Sequence, residues 1–316
     1  MNAMELMDAK VTVLAGGVGA ARFLSGLVHV VPPEQITVVC NVSDDFAWHG
    51  LYVCPDIDTI TYTLAGAQGT LGWGLEGDSH AALESLRRLG GEAWFGIGDR
   101  DLGTHLYRTQ ALREGKTLTE VTAHLARAWG VALTLLPVTD QPHPTVILTD
   151  EGELPFQVYF VQRRGADTVR EVRFPMASKV RPAAGVIEAI TRADVLVVAP
   201  SNPFVSIDPL LAVPGVRAAL AGTSARRIAV SPIVGGAAIK GPAADMMRSL
   251  GHEVSAVGVA RLYAGLVDCF VLDQADAALV PEVAALGLHA VAVDTMMLDP
   301  ARTQAVARAV LQAATS

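Results

Sequence analysis

The sequence predicts an α/β fold: a Rossmann-like, mostly parallel sheet with helices on both faces and an inserted α+β lid region. Three observations predict it. A β-branched run, Val11 to Leu14, leads directly into the turn Ala15-Gly16-Gly17-Val18-Gly19 and then a helical apolar pattern at Phe23, Leu24, Leu27 and Val28. After the break at Pro32-Pro33 a second buried run follows, Ile36 to Val42, so the first unit reads βαβ with parallel pairing. The same alternation resumes after Pro182. The core is therefore expected over residues 10–66 and 183–316, with 67–182 as inserted helices and a β-hairpin.

Composition narrows the function classes. The chain has 316 residues, 51% hydrophobic and only 18% charged, enough for a large core and against disorder. Net charge is −8 with Lys and Arg scattered, which excludes an extended nucleic-acid footprint; a small anion would need local positive groups instead. The three cysteines, Cys40, Cys54 and Cys269, lie in or beside apolar runs without zinc spacing and read as buried thiols in a reducing compartment. No apolar run reaches the roughly 18 residues of a membrane helix. Met1 to Asp8 lacks a basic region followed by an apolar one. A cytoplasmic protein with no membrane or nucleic-acid partner is expected.

The first strand, Gly-rich turn and helix form an arrangement suited to phosphate, because glycine lets the backbone approach an anion at a positive helix N-terminus. Gly17-x-Gly19 is present, but Arg22 stands where the third glycine of a dinucleotide fingerprint belongs, and no Walker Gly-Lys-Ser/Thr follows. A tight packing turn is the alternative. Asp44 and Asp45 fall just past the second strand, at the edge where open parallel sheets bind ligands. In an ordinary dinucleotide fold an acid here would hold a ribose hydroxyl.

Asp56 and Asp58 stand two apart in Pro55-Asp56-Ile57-Asp58-Thr59. In an extended segment they would share one face and suit a metal or a raised pKa; alternatively, Asp58 caps a helix over Thr59 to Leu64. No Lys or Arg lies between Val39 and Gly66. Unless the four acids are merely solvated, they need a divalent cation or a basic group from a distant segment.

In the insertion, Asp78 or Ser79 is expected to cap a helix bearing Leu83, Leu86 and Leu89 and ending at Gly90-Gly91. Arg100, between Asp99 and Asp101, is a candidate basic group for the acids or a phosphate, or a local surface ion pair. Thr117 and Glu120 form a capping box ahead of a helix with Leu118, Val121, Leu125 and Ala128 inward. His105 and His124 lack ligand spacing, and His124 reads as helix surface. Between Thr145 and Val161 two strand-like runs flank Asp150-Glu151-Gly152 as a hairpin.

Beyond it come a helix over 183–193, a strand Val195 to Ala199, and the turn Pro200-Ser201-Asn202-Pro203 running on to Ser206. Its hydroxyl and amide groups can donate to phosphate oxygens or a nucleobase edge, or simply make an Asn-Pro turn. A strand Ile228 to Val230 precedes Lys240 at a helix start, the best-placed cation in this half for a diphosphate. Strands near Val254 to Val257, Phe270 to Leu272 and Ala290 to Val293 would bring the sheet to six or more, and Asp299-Pro300 caps the last helix. The Met246-Met247 and Met296-Met297 pairs read as core.

Taken in order, these motifs resemble the 2-phospho-L-lactate transferases of deazaflavin coenzyme F-420 biosynthesis. The likeness rests on Gly16-Gly17-Val18-Gly19, Asn41-Val42-x-Asp44-Asp45, Pro55-Asp56-x-Asp58-Thr59, Gly98-Asp99-Arg100-Asp101, Phe156-Gln157, Pro200-Ser201-Asn202-Pro203, Ser231-Pro232 and Gly241-Pro242-Ala243. It spans nearly the whole chain. It implies transfer of a phospholactyl-type group (2-phospholactate, enolpyruvyl phosphate or phosphoglycerate) from a guanosine diphosphate ester to the ribityl hydroxyl of 7,8-didemethyl-8-hydroxy-5-deazariboflavin, releasing GMP with Mg²⁺. The resemblance makes Asp45 and Asp58 metal ligands or contacts to the attacking hydroxyl, with Asp44 and Asp56 as alternates. Gly16, Gly17, Gly19, Ser201, Asn202, Ser206 and Lys240 would hold the guanosine diphosphate; Asp58, Trp94, Asp99 and Arg100 would face the deazaflavin, enclosed by the insertion. A homodimer is implied. The chain departs from the family pattern at Val138-Thr139 and at Pro142-His143-Pro144-Thr145, where donor contacts are expected. The rival readings are an NAD(P)-dependent oxidoreductase and a non-enzymatic nucleotide-sugar-binding regulator.

Overall fold

The computed structural model describes residues 8–70 and 72–314; Met1 to Met7 lie outside them. Seven apolar runs become strands β1 (Val11–Ala15), β2 (Ile36–Cys40), β3 (Thr134–Pro137), β4 (Val195–Val198), β5 (Arg226–Val230), β6 (Cys269–Asp273) and β7 (His289–Val293). They pair in the order β7-β6-β5-β4-β1-β2-β3, and every pair is parallel. β1 and β4 are buried along their whole length, as a strand covered on both faces must be. The chain winds outward in both directions from β1, so a crevice opens between the C-terminal ends of β1 and β4.

The first half of the chain supplies five helices: α1 (Gly17–Leu27), α2 (Pro55–Leu64), α3 (Ala81–Arg88), α4 (Asp101–Arg113) and α5 (Leu118–Ala128). α1 buries Ala20, Phe23, Leu24 and Leu27. It packs closely on the C-terminal helix Pro300–Ala313, because a Cβ at Gly26 would stand 2.3 Å from the Thr303 carbonyl oxygen. The capping box holds α5: Thr117 N–H donates to Glu120 at 2.7 Å, and Glu120 N–H donates to Thr117 Oγ1 at 3.2 Å. Asp299 caps the last helix through Arg302 N–H at 2.8 Å.

Several expectations shift. The segment 67–182 is not wholly peripheral: its residues Thr134–Pro137 form β3, the edge of the central sheet, with Leu135 and neighbouring Leu133 and Val138 buried. The hairpin forms as Val146–Thr149 with Gly152–Pro155, and Val169–Arg173 adds a third antiparallel strand. Val254 to Val257 is not a strand. Ser255 there caps the helix Ala256–Tyr263, accepting from Gly258 N–H at 3.0 Å, and most of that short helix is buried, with Arg261 exposed. α3 buries no residue and is capped from outside its own turn, by Asp99 rather than Asp78 or Ser79. Met246 and Met247 are core, whereas Met296 and Met297 are only half-buried. The three cysteines are free and buried, and His124 is exposed, its ring stacked on Tyr107. Among the described residues no single helix is long and apolar enough to cross a membrane.

Candidate active site

Three chain segments meet at the C-terminal edge of the sheet. The first is the glycine turn after β1. Gly17 sits at φ +75°, a backbone region that disfavours side chains, and a Cβ on it would meet nothing within 4 Å. Its neighbours are close-packed instead: a Cβ on Gly19 would stand 2.2 Å from the Pro200 carbonyl oxygen, and one on Gly16 would stand 2.7 Å from Asp56 Oδ2 and 2.9 Å from Ser206 Cβ. The turn therefore packs tightly on one side and is open at Gly17.

The second segment is the turn after β4. Buried Ser201 donates to the Gly16 carbonyl at 2.8 Å, tying the two turns across the crevice. Asn202 Oδ1 accepts from Phe204 N–H at 3.0 Å, and Ser206 is buried against Gly16. Asn202 therefore makes the Asn-Pro turn, and Ser201 spends its hydroxyl proton on Gly16.

The third carries the acids. Asp56 and Asp58 lie in the first turn of α2, which starts at Pro55 after Cys54, so neither the shared extended face nor the Asp58 cap is what forms. Two residues apart on a helix is about 200° of rotation, so the two carboxylates face different surroundings. Asp56 faces the glycine turn. Asn41 Nδ2 donates to it at 3.0 Å, and burial, opposed by Asn41 and the Gly17 N–H, pushes its pKa up to about 6. Asp58 faces α4, where both its oxygens are bound by the guanidinium of Arg108. Burial raises its carboxyl, with Arg108 the strongest opposing influence.

No guanidinium fork grips Asp44 or Asp45 in this way. Asp44 Oδ1 and both oxygens of Asp45 are buried without a hydrogen bond. Burial raises both carboxyls well above the usual range and charges on neighbouring acids add to it, opposed at Asp44 by Asn41 and Thr145 and at Asp45 by Cys54 and the charge of Arg108. All four acids also push up the buried Cys40 thiol, after burial itself, which places the four around the end of β2. Gln157 steadies this turn by donating to the Asp44 carbonyl at 3.1 Å.

Of the two counter-charges the sequence calls for, the distant basic group is therefore Arg108, not Arg100. Arg100 is exposed, and its guanidinium donates to the Glu76 carbonyl at 3.1 Å. Asp99 accepts from Ser79 Oγ at 2.6 Å and from the N–H groups of Ala81 and Ala82, both at 2.9 Å, so it caps α3; its carboxyl is lowered, chiefly by Ser79. Asp78 in exchange caps α4 through Arg100 N–H at 2.8 Å and Asp101 N–H at 3.0 Å. These reciprocal caps hold the loop that carries Trp94. There Trp94, Phe95, Phe46 and Trp48 form an aromatic cluster on buried Ile97, with Trp48 and Trp94 at 4.5 Å between centroids. Lys240 lies near the glycine turn: its ammonium is 4.7 Å from the Trp73 ring centre, and burial followed by the charge of Arg22 lowers its pKa.

Sequence reasoning missed Arg108 and its support. Asp101, His105 and Arg108 recur at i, i+4 and i+7 on the inward face of α4. That polar stripe, aimed inward, was the available signal.

The donor set of Asp44 and Asp45 is compatible with Mg²⁺. Among the described residues no three His, Cys, Asp or Glu side chains already converge on one metal position. Magnesium does not need them, since it is commonly held by one or two carboxylates with substrate phosphate and water completing its shell. The unpartnered oxygens of Asp44 and Asp45 are such a pair.

A family profile described as 2-phospho-L-lactate transferase CofD matches residues 11–311. The phosphoenolpyruvate transferase of Streptomyces griseus subsp. griseus is 43% identical over 312 residues, covering 96% of this chain and 98% of that protein. The 2-phospho-L-lactate transferase of Methanospirillum hungatei is 36% identical over 302 residues, covering 95% of this chain and 99% of that one. The crystal structure of a Bacillus halodurans protein superposes with a TM-score of 0.65 at 18% identity, over 96% of this chain and 99% of that chain; this is a likeness of fold alone. None of these similarities supports an oxidoreductase or a non-enzymatic regulator.

Proposed function

Because the chain belongs to the 2-phospho-L-lactate transferase family, we propose that it transfers an enolpyruvyl phosphate group from a guanosine diphosphate ester to the ribityl hydroxyl of 7,8-didemethyl-8-hydroxy-5-deazariboflavin, releasing GMP, in F-420 biosynthesis. The choice of the enolpyruvyl donor within the family rests on identity. Relatives named phosphoenolpyruvate transferase reach 43%, 42% and 41%, against 36% for two named 2-phospho-L-lactate transferase.

The observation that carries the reading is the set of three buried acid oxygens without a hydrogen bond, Asp44 Oδ1 and both of Asp45, at the ligand edge of the sheet beside an open glycine turn. In the reaction the acceptor hydroxyl oxygen forms a bond to the phosphorus that bears the three-carbon acid, and the bridging P–O bond to GMP breaks. Asp44 and Asp45 would hold Mg²⁺, which when bound neutralises charge on the diphosphate. Asp58, balanced by Arg108, receives the hydrogen bond of the attacking hydroxyl. The turn at Gly16, Gly17 and Gly19, with Ser201, Asn202, Ser206 and Lys240, would line the diphosphate and guanosine side. Trp94 and its aromatic neighbours give the flat ring an apolar wall, while Asp99 and Arg100 hold the loop in place.

The test is mass spectrometry of the deazaflavin product after incubation with Mg²⁺ and, separately, the lactyl, enolpyruvyl and glyceryl guanosine diphosphate donors. The enolpyruvyl adduct is expected. Preferential turnover of another donor refutes the donor choice, and undiminished turnover by Asp58→Asn refutes the role of Asp58.

A further inference from the structure

Arg108 is the bulkiest of the fully buried side chains, with 0% exposure, and the transferase reading gives it no contact with substrate. Its surroundings are ordered. Nη1 lies 3.1 Å from Asp58 Oδ2 while Nη2 holds Oδ1, so the planar fork of the guanidinium fixes the plane of the carboxylate. Nη1 also donates to His105 Nδ1 at 3.2 Å. A guanidinium can only donate, so Nδ1 is the acceptor nitrogen and the imidazole proton sits on Nε2. Nε2 lies 3.2 Å from Asp101 Oδ2, and the Tyr62 hydroxyl donates to Asp101 Oδ1 at 2.6 Å. Asp58 and Tyr62, one turn apart on α2, face Arg108 and Asp101 on α4, with His105 between; the approach of His105 to Asp101 is close but not an aligned hydrogen bond.

Fold stability alone does not call for this arrangement. Asp58 is in the first turn of α2, where the helix already favours a negative charge, and a buried ion pair gains little over apolar residues of the same volume. What the arrangement does supply is a single orientation for one carboxylate. It also links that carboxylate to α4, which follows directly on the capped loop of Asp99 and Trp94 that faces the acceptor.

We propose that Arg108 is a positioning residue for the transfer: through its fork, and braced by His105, it holds the Asp58 carboxylate in the orientation that receives the acceptor hydroxyl. The inference rests on the transferase reading above. Arg108→Lys keeps the charge and removes the fork, so it separates orientation from charge balance.

The experiment is a kinetic double-mutant cycle on the full chain with Arg108→Lys, Asp58→Asn and the two combined. Thermal denaturation and deazaflavin-fluorescence titration are recorded for each. Arg108→Lys is expected to fold, to bind the deazaflavin as the parent does and to keep KM for the guanosine donor, while kcat falls about a hundredfold. Arg108→Lys in the Asp58→Asn background is expected to cause no further loss, because its effect passes through the missing carboxylate. Parental kcat in Arg108→Lys overturns the proposal, and so does a loss that multiplies in the double variant. If Arg108→Lys fails to fold, Asp58→Asn combined with Arg108→Met, which removes both charges, is compared with Asp58→Asn: equal kcat supports the proposal and a further loss overturns it. Absence of product from the parent protein with every guanosine donor would instead overturn the transferase reading.

Discussion

The acid cluster makes the metal-free protein less stable as pH rises, and Asp56→Asn isolates one part of that effect. The Asp56 carboxyl moves from its ordinary value of 3.8 to about 6 because burial disfavours the charge more than Asn41 and Gly17 N–H favour it. A group whose folded pKa is raised contributes stability that is present in full below the unfolded value and lost as pH rises through the folded one. The window therefore runs from 3.8 to somewhat above 6. That displacement corresponds to about 3 kcal/mol. The assay is urea denaturation in chelator at intervals across the window, for parent and variant. Stability of Asp56→Asn relative to the parent should climb by about 3 kcal/mol from the acid to the neutral end. A constant offset from altered packing against Gly16 does not matter, since the slope is the signature. Asp208 is also raised by burial and acts equally in both proteins, so it cancels in the comparison; Asp44 and Asp45 feel the Asp56 charge, so their own shifts shrink in the variant and add to the climb in the same direction. Parallel curves for parent and variant would refute the reasoning.

Other outcomes follow from the same geometry. Mg²⁺ should raise the melting temperature of the parent, by the equivalent of about 2.7 kcal/mol at a hundred times Kd, and should lose that effect in Asp44→Asn/Asp45→Asn; calorimetric titration checks both. Gly19→Ala forces the glycine turn away from Pro200, because its new Cβ would stand 2.2 Å from the carbonyl oxygen. A destabilisation of about 1–3 kcal/mol in chemical denaturation and a higher KM for the guanosine donor are expected. Trp94→Ala removes an aromatic wall and should weaken deazaflavin binding about tenfold by fluorescence titration, leaving KM for the guanosine donor unchanged.

The parts legible in the sequence were those written locally. β1, β2 and the turn between β1 and α1 could be read because strands buried on both faces are continuously apolar and the glycines interrupt them sharply. Asp44 and Asp45 could be placed because the end of β2 fixes them, whatever the rest of the chain does. The pairing of Asp58 could not, because Arg108 lies 50 residues away and a nearer arginine, Arg100, stood between two acids. The spacing of Asp56 and Asp58 pointed one way for a strand and the opposite way for a helix, and Pro55, well suited to the first turn of a helix, was the local clue. Val254 to Val257 misled because it straddles a helix start: Ser255 is the cap, Val254 lies before it, and the apolar Val254, Ala256 and Val257 look the same locally for a buried strand or a buried first turn.

The strand order also dictates when the site can come into being. β1 pairs with β2 after one short crossover, but its other edge waits for β4, with Val11 opposite Val195. A nascent chain that has not yet delivered residues 195–201 exposes an unpaired, largely apolar strand edge. It also lacks Ser201, which closes the crevice on Gly16. Long-range parallel pairing of this kind is slow to form. During synthesis the amino-terminal half is therefore the vulnerable species, prone to self-association, and catalytic competence is among the last properties the chain acquires.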